Sequence, residues 1–244
     1  MRFSNGKEGI GGGLLLTILL AGYLLMNDTM AMENPVDISK VNGKIELQSG
    51  QVAGRVSTVN GGIRMASNSH ATRVETVNGS ISLRENVEAL RIETVNGSIN
   101  IGQESVIAGP VKTVNGSVTL DRNVTVDGNV STVNGRIRVN DGTEIISNIR
   151  TVNGDIDLQA TTIRGNVKTR DGDIWLTGNS TVEGDIVVQA RQKRWFRLFS
   201  FGNHKKPRLL IDGTSRVLGN IHLHREVDLD IADNSEVGEI FYHY

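Results

Sequence analysis

The sequence predicts an all-β chain wound as a single-stranded parallel β-helix of about ten coils, and three observations predict it. The tripeptide Val-Asn-Gly recurs at a fixed spacing, first as Val41-Asn42-Gly43 and then centred on Asn60, Asn78, Asn96, Asn115, Asn134 and Asn153. Arg170-Asp171-Gly172 continues the series, and the intervals run 18, 18, 18, 19, 19, 19 and 18 residues. Between the tripeptides apolar residues alternate with polar ones, as in Arg136-Ile137-Arg138-Val139, which is a strand pattern and not a helical one. Gly, Asn, Val, Ile and Thr dominate throughout, a composition that disfavours helix. A repeat this short and regular denotes stacked units, none able to bury its apolar face alone.

Taken in chain order, Arg2 and Lys7 precede an apolar run from Leu14 to Met26, and small residues follow at Thr29 and Ala31. The run has the length of a signal-peptide core and is shorter than the ~20 residues of a comfortable membrane span. Residues 1–31 are therefore expected to be a signal peptide or, if uncleaved, an N-terminal membrane anchor. Either reading places the rest outside the cytoplasm, periplasmic or associated with the cell envelope.

The β-helix is expected over residues 36–244. Its first corner is the Asn-Gly pair, since both residue types tolerate positive φ; Asn42, Asn60, Asn78, Asn96, Asn115, Asn134, Asn153 and Asp171 are the corner residues, able to stack amide on amide. A second corner is marked by Gly54, Gly109, Gly128, Gly165, Gly184, Gly219 and Gly238. Together they account for most of the 28 glycines. At a strand spacing of about 4.8 Å, ten coils make a stack ~45 Å long. The apolar positions Val130, Val133, Ile137, Val139, Ile145, Ile149 and Val152 do not recur every six residues, which favours a right-handed over a left-handed coil.

The T-V-N-G-x-I-x-L repeats resemble the family of bacterial β-strand-repeat domains classed as adhesins, over about residues 36–190, and more distantly the polymer-forming bactofilins. The resemblance implies a β-helix of the cell envelope and carries over no catalytic residue.

One coil is interrupted. Gly184 and Gly219 are 35 residues apart, about 17 more than one coil needs, and the excess falls at Arg191–Arg208. This insertion holds Arg191, Lys193, Arg194, Arg197, Lys205, Lys206 and Arg208 with no acid, and Trp195, Phe196, Phe199 and Phe201 among them. The whole chain has 26 Lys and Arg against 27 Asp and Glu, so the insertion is a basic island in an otherwise acidic protein. Basic residues interleaved with aromatic ones suit an anionic envelope lipid, a glycan or an envelope protein; the alternative is that the rings pack onto the coil flank. Nucleic acid is not expected, because an exported protein rarely meets it.

Chemistry elsewhere is sparse. There is no cysteine, which excludes disulfides, thiolate nucleophiles and Cys-ligated zinc. Asp155 and Asp173 follow equivalent corners one coil apart, the raw material of a polysaccharide-active β-helix enzyme. His222 and His224 share a strand face, with His243 one coil beyond. Neither set has the remaining parts of a site, so no catalytic residue, metal or cofactor is expected. The C-terminal residues Glu239–Tyr244 are aromatic and weakly charged, fit to be a lid over the last coil or an end-to-end self-association surface. The function these readings favour is a non-catalytic scaffold or adhesion module, with the enzyme and a bactofilin-like polymer as alternatives.

Overall fold

The computed structural model describes residues 35–190 and 206–244, almost wholly within one of the chain's two units, Val36–Tyr244. Their strands are all parallel, each hydrogen-bonded to its equivalent one coil away. Among the described residues no helix is long and apolar enough to cross a membrane.

Each coil has three faces. The first is a ten-stranded sheet running from Ile45–Leu47 to Asp228–Ile231, and the other two form one continuous sheet of eighteen strands. A representative coil runs through Val118–Leu120, Thr125–Val126 and Val130–Ser131 before turning into the next strand, Ile137–Val139. The register is strict: Val118 lies opposite Ile137, Thr119 opposite Arg138 and Leu120 opposite Val139. Like stacks on like, so the interior is a set of Val, Ile and Leu columns such as Ile81, Ile99, Val118, Ile137, Ile156 and Ile174, all buried. Coils this narrow fill with branched aliphatics, which suit a pleated surface.

Several expectations are corrected. The interior residue before the first corner is Thr132, 3% exposed, and not Val133, 37% exposed. The same exchange holds for Thr151 and Val152, the first buried and the second half-buried. With threonine counted inward, a six-residue phase appears: Val118, Val124 and Val130 form one series, and Leu120, Val126 and Thr132 another. The observation that favoured a right-handed coil is thereby removed.

The reason for glycine at the first corner also changes. Of the Val-Asn-Gly glycines only Gly43 has positive φ, at 104°, and no corner asparagine has one. Gly61, Gly79, Gly97, Gly116, Gly135, Gly154 and Gly172 are instead required by stacking, because a Cβ on each would lie 1.8–2.2 Å from the carbonyl oxygen of the glycine one coil before.

Positive φ belongs to a third corner that glycine spacing does not reveal. It recurs at Gly50, Asn68, Asn86, Glu104, Asn123, Gly142, Ala160 and Asn179, again 18 or 19 residues apart. A buried hydroxyl beneath it closes the turn: Ser69 Oγ donates to the Ala66 carbonyl at 2.6 Å and Ser180 Oγ to the Thr177 carbonyl at 2.7 Å. Val87 and Val124 fill the same column without a hydroxyl. The second corner is likewise not uniform. Val52–Asn60, His70–Asn78 and Glu88–Asn96 are unbroken nine-residue strands, so Gly54 lies inside a strand, and the corner exists only from Gly109 onward.

At the C-terminal end the aromatic residues do not form a lid. Phe241, Tyr242 and Tyr244 are 38%, 58% and 63% exposed, while Leu229, Ile231, Val237 and Ile240 of the last coil are only partly buried.

Candidate functional site

The Thr-Val-Asn-Gly corner sorts its side chains by direction. Threonine points inward and its hydroxyl donates to the corner carbonyl of the preceding coil, as from Thr94 to Gly79 at 2.9 Å and from Thr113 to Gly97 at 2.8 Å. Asparagine points outward and builds a ladder: each Nδ2 donates to the Oδ1 of the asparagine one coil earlier, from Asn60 on Asn42 to Asn153 on Asn134, at 2.7–2.9 Å. Asp171 departs from the ladder. It accepts from Arg225 Nη1 at 2.6 Å, a guanidinium 54 residues further along the chain.

Valine is left over. Val41, Val59, Val77, Val95, Val114 and Val133 form an exposed column beside the ladder, 37–67% exposed. They border a groove of ≈1160 Å³ that runs past seven coils, from Ser39 to Val152. Valine stands there because neither the interior, filled by threonine, nor the ladder can take it.

The face flanking this column is basic. Its outward positions over eight coils form two columns: the nearer to the valines carries Glu75, Glu93, Lys112, Arg150 and Lys168, and the farther Asp37, Arg55, Arg73 and Arg91. Glu75 is held between Arg55 at 2.6 Å and Arg73 at 3.4 Å, and Glu93 between Arg91 and Lys112, both at 3.8 Å. The carboxylates are thus shared among several cations and the excess of positive charge remains. Long side chains wall the groove; short valines line it.

The sequence-predicted residues fall in four places. Arg191, Lys193, Arg194, Trp195, Phe196, Arg197, Phe199, Phe201 and Lys205 lie outside the described residues. Lys206 and Arg208 are described and engaged with acids of the following coil. Lys206 meets Glu226 at 2.8 Å, a hydrogen bond that raises the lysine's pKa and lowers the glutamate's. Arg208 meets Asp230. In the chain the insertion falls between the strands Ile186–Val188 and Arg208–Ile211, where other coils have their Val-Asn-Gly corner.

Asp155 and Asp173 serve the stack. Asp155 Oδ2 accepts from Arg136 at 2.7 Å while its Oδ1 accepts the Asp173 backbone N–H at 3.1 Å, and Asp173 Oδ1 in turn accepts the Arg208 N–H at 2.8 Å. Serines hold this column in earlier coils, with Ser117 Oγ taking the Arg136 N–H at 3.3 Å. Trp175 lies opposite Asp157 with the Arg136 guanidinium over its ring at 5.7 Å.

His222, His224 and His243 stack, with ring centroids 4.4 Å apart for His224 and His243, and 5.5 Å for His222 and His243. Burial first, then the two neighbouring imidazoles, lowers the His224 pKa. Among the described residues no group of three His, Cys, Asp or Glu side chains is arranged to hold a metal ion.

The groove is the feature that sequence reasoning missed. Its signal is present, since one valine per coil sits between a threonine and an asparagine that already account for the corner, but alternation assigned that valine to the core.

Residues 73–192 match the family model Toastrack DUF4097. The Toastrack match places this stretch with a β-strand-repeat domain of unknown function, and identifies no catalytic family. It spans the coils that carry most of the valine column and stops at residue 192, where the insertion begins. Among curated proteins and among solved structures no match was found.

Proposed function

We propose that this chain is a non-catalytic scaffold and binding module of the bacterial cell envelope, exported by its N-terminal segment. The stacked coils are a rigid support, and the insertion Arg191–Arg208 is a contact surface for an anionic lipid, a glycan or an envelope protein. The observation that carries the non-catalytic part is the use of Asp155 and Asp173. Each carboxylate accepts a backbone N–H of the next coil, so the two groups best placed for acid–base work on a glycan are employed in holding strands together. The Toastrack match, to a β-strand-repeat domain, supports the scaffold part of the reading.

Sedimentation with isolated envelope fractions tests it. Trp195→Ala/Phe199→Ala is expected to weaken binding with its melting temperature unchanged. Asp155→Asn/Asp173→Asn, compared at matched folded fraction, is expected to bind as the unaltered protein does. Turnover of an acidic glycan by the unaltered protein, lost in Asp173→Asn, would establish the enzyme instead.

A further inference from the structure

We infer that the valine column and its basic wall form a second contact surface, one that lays the flank of the β-helix on an anionic lipid surface. The inference rests on the envelope setting of the proposed function but not on the insertion.

The groove's chemistry selects the occupant. From Val41 to Val152 the column spans six coil steps, ~29 Å at a strand spacing of about 4.8 Å. The valines offer neither donor nor acceptor, so a glycan would find no ordered hydrogen bonds along the column. The groove lies on a sheet face and not at an edge. Backbone groups beneath it are spent between coils, as where Thr113 N–H donates to the Ser131 carbonyl at 3.0 Å, so an extended peptide gains no main-chain pairing. A second copy of the same face would set Arg150 and Lys168 among further cations.

What remains on offer is an apolar line with cations set along one side. That arrangement matches an interface in which short apolar groups sit below the headgroups and Lys and Arg reach anionic phosphates. The charge is also local. A chain with 26 cations and 27 acids places six of those cations against three acids over these eight coils of one face.

Flotation of the full chain with vesicles of phosphatidylcholine, alone or mixed with phosphatidylglycerol, tests the inference. The unaltered protein is expected to float with the anionic vesicles, less so as salt is raised. Lys112→Glu/Arg150→Glu is expected to bind at least about thirtyfold more weakly, the factor that loss of two surface cations alone gives, with the two added carboxylates repelling the lipid further. Val95→Ser/Val114→Ser should weaken binding without changing its salt dependence. All four positions point to solvent, and a melting curve for each variant confirms that the coil is intact. Trp195→Ala/Phe199→Ala separates this surface from the insertion: retained flotation in that variant, with loss in the corner variants, supports the inference. Flotation lost only in the insertion variant overturns it, as does equal binding to neutral vesicles. Dimerisation without lipid that Val95→Ser/Val114→Ser abolishes would overturn it in favour of a second copy.

Discussion

At the scale of the residue, the corner glycine shows how one letter can be conserved along a repeat for a reason other than its backbone freedom. Gly97 has ordinary φ, yet a Cβ there would sit 2.0 Å from the Gly79 carbonyl oxygen and 2.4 Å from its carbon. The obstacle is backbone, and backbone that Thr94 already fixes by donating its hydroxyl to the same carbonyl. Nothing flexible can move aside, so the two coils must separate locally. Gly97→Ala is therefore expected to lower stability by about 2–3 kcal/mol, an overpacking cost, read as a shift in the urea midpoint. Gly50→Ala serves as the comparison, because no atom lies within 4 Å of its Cβ position and its φ of 73° makes the cost conformational. A loss of about 1 kcal/mol is expected there. Equal losses at the two sites would remove the stacking explanation.

At the scale of the element, the corners differ in how much of them can be read from the letters. The Val-Asn-Gly corner was legible because identical residues stack there, and the asparagine ladder requires that identity. The third corner was not, because positive φ is met in turn by Gly50, Asn68, Glu104 and Ala160, so its period is conformational and leaves no constant letter. Threonine facing inward and valine outward at the first corner inverts their usual polarity. The inversion is caused by the carbonyl that the buried hydroxyl satisfies, a partner that exists only once coils are stacked.

The coil after the insertion shows what joins elements that sequence separates. Asp212 Oδ2 accepts the Gly178 N–H at 2.7 Å and its Oδ1 the Thr214 hydroxyl at 2.9 Å, while Thr214 Oγ1 accepts the Asn179 N–H at 2.9 Å. Burial alone would raise the Asp212 pKa, but the hydrogen bonds from Ser215, Gly178 and Thr214 outweigh it and hold the value at about 2, below the ordinary 3.8. A depressed carboxylate contributes stability that is present above pH 3.8 and lost as pH falls toward 2. Asp212→Ala is expected to cost about 1–2 kcal/mol at neutral pH and to flatten the stability profile between pH 4 and 2. An unchanged acid profile would show that the staple is not formed in solution.

At the scale of the whole β-helix, stability is a sum of coil–coil contacts, and a terminal coil has one neighbour where an inner coil has two. The last described coil, from Asp228–Ile231 to Ile240–Tyr242, therefore opens before the inner coils, and its apolar residues are only partly buried. The imidazole stack joins it to the coil beneath. His243 lies over His224, His222 Nδ1 is 3.2 Å from His243 Nε2, and the Phe241 ring stacks on His222 at 5.1 Å. Asp185 faces the stack, its Oδ2 3.9 Å from His222 Nε2. Both neighbouring imidazoles oppose a charge on His224. A His224 pKa lowered from 6.5 means that the unfolded coil takes up its proton first, so the stabilisation is whole above pH 6.5 and declines as pH falls below it. Opening of one end coil does not require the rest to unfold. Hydrogen exchange at Ile240–Tyr242, corrected for intrinsic rates, is expected to be faster at pH 5.5 than at pH 7.5, with no change at Ile137–Val139 in the middle of the stack. His224→Gln should remove the difference. Equal protection at the two pH values would mean that the stack does not hold the coil, and a parallel loss in the middle strands would mean that the β-helix unfolds as a unit and not from its end.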